Sequence, residues 1–121
     1  MAEESLFKNR FRGFYFALKG AFLLLRTEKS IQVQFAVAIA ITAAGFYYGI
    51  TPMEWMMQTL AIGLVMGVEG VNTAVEKLAD YIQPRLDPKI GFIKDVSAGA
   101  VMFAAITAVA VGLIIYLPRI F

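Results

Sequence analysis

Apolar residues gather in three long blocks, residues 30–50, 53–82 and 92–118. Each reaches the roughly 20 residues that cross a hydrocarbon core of about 30 Å, so the pattern predicts three transmembrane helices. Residues 1–29 follow a different rhythm. Phe7, Phe11, Phe14, Tyr15, Leu18, Phe22 and Leu25 share one face at helical spacing, and Lys8, Arg12, Lys19 and Arg26 line its flank. That is the pattern of an amphipathic helix lying in the headgroup plane rather than of a secretory leader, whose apolar stretch these basic residues would interrupt. Phe16, Leu23 and Leu24 fall off the face, so a second side is expected against protein. Punctuation fits the blocks: Gly49 to Pro52 predicts the first turn, with Thr51 as N-cap and Pro52 at the first helical position. The stretch Tyr81 to Gly91, holding Pro84 and Pro88, predicts the second connection, after which Lys94 and Asp95 open the last helix. The expected fold is all-α and integral to the membrane, one domain over residues 1–121. Its first span, without charge, is read as lipid-facing structure.

The middle block breaks the apolar rule. Glu69, Asn72, Glu76 and Asp80 lie within an arc of about 80° on one helix face and climb about 16 Å along its axis. A charge near the centre of a membrane helix costs roughly 2.5 to 3.5 kcal/mol even on lenient insertion scales, so such residues face protein, an ion or a substrate. No basic residue of the same helix lies at the depth of Glu69.

The chain is 60% hydrophobic and 17% charged, which places it among membrane proteins rather than soluble domains. It has no cysteine and no histidine, so disulfides, thiol nucleophiles, imidazole bases and Cys or His metal sites are excluded. Chemistry must run on carboxylates, Lys, Arg and amides, and a divalent cation held by them would be a hard, oxygen-preferring ion such as Mg²⁺. Ten of the eleven basic residues flank the N-terminal segment and the second connection, and only Arg119 stands at the other end. By the positive-inside rule the N-terminus is cytoplasmic and the C-terminus outside. No nucleic-acid partner is expected.

One level of the expected membrane holds the ingredients of phosphate chemistry. Glu28, Glu76 and Asp80 offer oxygens to Mg²⁺, with phosphate completing the shell. Lys94, near the start of the last helix, would meet phosphate together with that helix's N–H groups, and Gly91 allows close backbone approach. Glu69, about 10 Å deeper, suits a general base toward a lipid alcohol. Plainer readings stand beside these: Lys94 and Asp95 as an interfacial snorkelling pair, Glu76 as the partner of Lys77 or Lys94. No GxxxxGK[ST] or GxGxxG phosphate loop is present, nor the protein-kinase motifs.

The run Glu69-Gly70-Val71-Asn72-Thr73-Ala74-Val75-Glu76-Lys77-Leu78-Ala79-Asp80 resembles the signature E-x-[LIVM]-N-[ST]-[SA]-[IV]-E-x-x-[VI]-D of the prokaryotic diacylglycerol kinase family, departing from it at Ala79. Lys94-Asp95-Val96-Ser97-Ala98-Gly99-Ala100-Val101, Ala17-Leu18-Lys19-Gly20 and Glu28 extend the resemblance over nearly the whole chain. It implies a homotrimer of three-span subunits with a surface helix, transferring the γ-phosphate of MgATP to a lipid hydroxyl. It further implies Glu69 as general base, Asn72 as the amide that orients the site, and Glu28 and Glu76 as metal ligands. Lys94 and Asp95 resemble the nucleotide-contacting pair. The family's N-terminal basic residue registers with Asn9, so Arg10 is taken in its place, ahead of Arg12. Phe16 stands where the family carries an aromatic ring.

Two lipids fit the resemblance. Tyr47-Tyr48-Gly49 and Glu54-Trp55 look like the undecaprenol kinase branch, yet Gln32 and Gln34 replace the Arg and His that often follow Glu28 there. Diacylglycerol and undecaprenol both stay open. The competing class is a small oligomeric transporter coupled to protons or cations through Glu69 and Glu76. Against it, nothing polar continues the stripe toward the outer face.

Overall fold

The computed structural model describes residues 2–121, with side chains from Ser5 onward. Four α-helices follow one another: α1 (Ala2–Thr27), α2 (Lys29–Tyr48), α3 (Pro52–Ile82) and α4 (Pro88–Ile120). A single residue separates α1 from α2. Glu28 leaves the helical region at φ −104° and ψ 115°, and its side chain does not cap the helix it precedes.

The α2–α3 turn is built as its sequence predicts. Gly49 ends α2 in the left-handed region at φ 60°, which a Cβ would oppose. Thr51 Oγ1 accepts from the Glu54 N–H, while Glu54 Oε1 accepts from the Thr51 N–H at 2.9 Å, a reciprocal capping box. The α3–α4 connection is shorter than expected. Asp87 Oδ1 accepts from the Lys89 N–H at 2.8 Å and Pro88 takes the first helical position, so α4 opens six residues before Lys94. Pro88, expected as a stop, is a start: its missing N–H costs nothing in a first turn.

Helices α3 and α4 share the largest interface and run antiparallel, pinned at both ends by ion pairs. Lys94 meets Asp80 at one end. At the other, Arg119 grips both oxygens of Glu54, at 2.8 Å and 2.6 Å. Near that end the buried Gln58 and Tyr116 join through a 2.6 Å bond, beside the Ile41 carbonyl of α2. These groups satisfy one another where no water reaches them.

The expectation that α2 is plain lipid-facing structure is corrected. Ile31, Ala38 and Gly45, at spacing seven, are buried, and the Gly45 to Trp55 approach is so close that a Cβ would stand 2.7 Å from the indole. Elsewhere large apolar side chains point outward from every helix, Phe103, Ile114 and Phe46 among them. A helix apolar on all sides belongs in hydrocarbon or against other helices. Among the described residues, α2 and α4 are long and apolar enough to cross a membrane. Helix α3 has the length, about 46 Å at 1.5 Å per residue, but Gln58, Glu69, Asn72 and Glu76 interrupt its apolarity.

Candidate functional site

Helix α2, the α1–α2 junction and α4 each bring a polar side chain to α3. Glu69 is buried, and its partner comes from α2: Gln34 Nε2 donates to Glu69 Oε1 at 3.0 Å. The donor is a neutral amide, so the carboxylate is oriented without a counter-charge. The amide's own oxygen, Gln34 Oε1, is buried with no partner. One turn along α3, Asn72 Nδ2 donates to Glu76 Oε1 at 3.3 Å, and Asn72 Oδ1 is likewise buried and unpartnered. Two orphaned amide oxygens near one buried carboxylate are unusual, since buried polar atoms are nearly always paired.

Toward the end of α3 the site opens. Glu76 is exposed, and the adjacent Lys77 ion-pairs with Glu28 at 3.4 Å, which brings the α1–α2 junction against α3. Glu28 reaches across because it leaves its own helix end uncapped. Asp80 takes Lys94 from α4, so the plainer reading of Lys94 as an ion-pair partner has its counterpart in the structure, with Asp80 rather than Asp95 or Glu76 as partner. Glu76 pairs with neither Lys77 nor Lys94.

Lys94 stands almost two turns inside α4, so its charge does not combine with the helix's free N–H groups as expected. Gly91 lies in the first turn of α4, with its N–H on the Asp87 carbonyl and open space around its Cα. Asp95 is exposed. Arg10 is exposed on α1 and, among the described residues, forms no ion pair. Phe16 is also exposed, whereas Leu24 meets α3 at Gly70, where an added Cβ would lie 3.0 Å away. The second, protein-facing side of α1 is therefore its C-terminal end.

Among the described residues no three carboxylates converge as a ready-made metal cage. Glu28, Glu76 and the orphaned Asn72 Oδ1 nevertheless present only hard oxygen donors around one short stretch of α3. That set suits Mg²⁺, which takes one or two carboxylates and completes its shell with phosphate oxygens and water. Cations from Lys77 and Lys94 stand on the same stretch, where a polyphosphate would need them.

Gln34, noted in the sequence only as a departure from the undecaprenol kinase branch, was not expected at Glu69, though the signal existed. It is an amide in an apolar block, the same anomaly that singled out Asn72, and it shares the face of Ile31 and Ala38 that packs on α3. Gln34 also heads an apolar groove of about 290 Å³ between α2, α3 and α4.

Residues 15–116 match the family described as prokaryotic diacylglycerol kinase. The chain is 36% identical over 110 residues to undecaprenol kinase of Bacillus subtilis (strain 168), covering 91% of this chain and 89% of that one. It is 30% identical over 106 residues to diacylglycerol kinase of Synechocystis sp. (strain ATCC 27184 / PCC 6803 / Kazusa), covering 87% of this chain and 61% of that one.

Proposed function

The chain belongs to the prokaryotic diacylglycerol kinase family and is a membrane lipid kinase, and from that premise we propose that it transfers the γ-phosphate of MgATP to the hydroxyl of a membrane lipid alcohol, diacylglycerol or undecaprenol. One observation carries the site assignment. Glu69 is buried on the same helix face that ends, about 10 Å further on, in the open cluster of Glu76, Lys77 and Asp80. A lipid hydroxyl and a water-borne nucleotide would meet on that face from opposite sides.

In this reading Glu69 takes the proton of the alcohol as its oxygen attacks the γ-phosphorus in line. The new O–P bond forms as the bond from phosphorus to the β-γ bridging oxygen breaks, and ADP leaves with the electron pair. Gln34 fixes one Glu69 oxygen, leaving the other to receive the proton. Glu28 and Glu76 would hold Mg²⁺, whose charge offsets that of the phosphates. Asn72 keeps Glu76 in place, Lys94 and Asp95 contact the nucleotide, Gly91 leaves room beside it, and Arg10 adds a cation from α1. Rate then comes from positioning and charge neutralisation.

The chain would act as a homotrimer of three-span subunits in the bacterial inner membrane, with the N-terminus cytoplasmic and the C-terminus outside. The exposure of Glu76, and of Gly63 and Gly67 on α3, supports this, since one subunit alone leaves the site uncovered and small residues admit close helix approach. Purified protein in mixed micelles with labelled ATP, Mg²⁺ and either lipid tests the proposal. Labelled phosphatidic acid or undecaprenyl phosphate is the expected product, and no labelled lipid from either alcohol would refute it.

A further inference from the structure

The apolar groove begins at Gln34 and Met66 and runs along α3 to Gln58, about 12 Å at the helical rise. Its walls are Val37, Ala38, Ile62, Val65, Ala108 and their neighbours, with no hydrogen-bonding side chain between Gln34 and Gln58. At the far end Gln58 is already engaged with Tyr116 and the Ile41 carbonyl. At the near end the situation is reversed, because Gln34 Oε1 is buried and still seeks a donor while its Nε2 holds Glu69. The groove is therefore hydrocarbon-like along its length, and the residue at its head carries an unpaired acceptor.

We infer that this groove receives the tail of a lipid alcohol whose hydroxyl sits directly on hydrocarbon, a polyprenol rather than a glycerol diester, and that Gln34 Oε1 docks that hydroxyl beside Glu69. The inference rests on the lipid-kinase reading of Glu69. The bound O–H points first at the amide oxygen, and rotation about the alcohol's C–O bond swings the same proton to the carboxylate held by that amide. A diacylglycerol would bring two ester carbonyls within a few bonds of its hydroxyl. These acceptors would face Met66 and Val65, where nothing donates, and burying an unpaired polar group is costly. A tail longer than the groove leaves through its open side into the bilayer.

Photolabelling with a diazirine-bearing farnesol tests occupancy independently of turnover. Labels are expected on the groove segments around Val37, Val65 and Val109, competed at least tenfold better by farnesol than by dioctanoylglycerol. Labels elsewhere, or equal competition, would overturn the inference. So would a spontaneous disulfide between copies of Val109→Cys, in a chain with no other cysteine, because a second subunit would then fill the groove. If neither alcohol is phosphorylated, the kinase reading fails while the labelling still decides what the groove holds.

Gln34 is tested by two replacements. Gln34→Leu should raise KM for farnesol about tenfold or more, with KM for ATP within twofold. Gln34→His, which in its neutral form still pairs one donor with one acceptor, should restore farnesol binding and add an acidic limb to the pH profile near about 6.5, where the ring gains a proton and loses its acceptor. An unchanged farnesol KM in Gln34→Leu, or no new limb in Gln34→His, would show that Gln34 does not dock the hydroxyl.

Discussion

Single residues in this protein settle how polar groups survive at membrane depth. Near the Glu54–Arg119 end, Gln58, Tyr116 and the Ile41 carbonyl close on one another, and that arrangement is structural. Toward the Asp80–Lys94 end, Gln34 and Asn72 each spend a donor on a carboxylate and keep an oxygen unpaired. On the proposed function, that contrast separates packing from chemistry. Tyr116→Phe removes the hydroxyl that reaches the buried Gln58 oxygen. It is expected to cost about 1 to 2 kcal/mol, a membrane hydrogen bond plus an orphaned acceptor, measured as a lower unfolding midpoint in detergent. Residue type and depth alone singled out Glu69, Asn72 and Glu76 in the sequence. Gln34 was not singled out, because its span holds no carboxylate to draw notice to an amide, as Glu69 and Glu76 do beside Asn72.

At the scale of elements, lengths and turns were legible and faces were not. Glycine and proline chemistry marked the α2–α3 turn, but the same vocabulary misplaced the start of α4. Asp87-Pro88 is both a plausible stop and a plausible cap with its first residue, and the local sequence does not choose between them. The inward face of α2 stayed hidden for a different reason. Lipid tails are as apolar as leucine, so a hydrophobic pattern does not tell lipid contact from helix contact. Gly45 marks that face in the structure by admitting Trp55. Gly45→Val should overpack the hairpin and destabilise it by about 1 to 3 kcal/mol. Trp55 is the sole tryptophan, so its emission during detergent-induced unfolding reads the change directly. A variant as stable as the parent, with unshifted emission, would mean that the indole does not rest on Gly45.

For the whole molecule, the three other helices each meet α3, yet the cluster at its end stays open. Glu28 and Lys94 come from the α1–α2 junction and from α4, and both are spent on ion pairs with α3. A nucleotide would have to compete with Glu28 for Lys77 and with Asp80 for Lys94, exchanges that exposed ion pairs of about 0 to 1 kcal/mol permit. Crosslinking in mild detergent should trap trimers, and activity should follow the trimer fraction. A persistent active monomer would contradict the shared site, since one chain leaves Glu76 uncovered.

The proposed division of labour by depth along α3 is tested most directly by measuring turnover and Mg²⁺-dependent nucleotide binding side by side in Glu69→Gln and Glu76→Gln. Loss of a positioned general base costs typically about 10² to 10⁴ in rate. Glu69→Gln should therefore lose turnover on that scale and keep nucleotide affinity, while Glu76→Gln should weaken nucleotide binding itself. Wild-type turnover in Glu69→Gln, or nucleotide binding lost there and kept in Glu76→Gln, would contradict it.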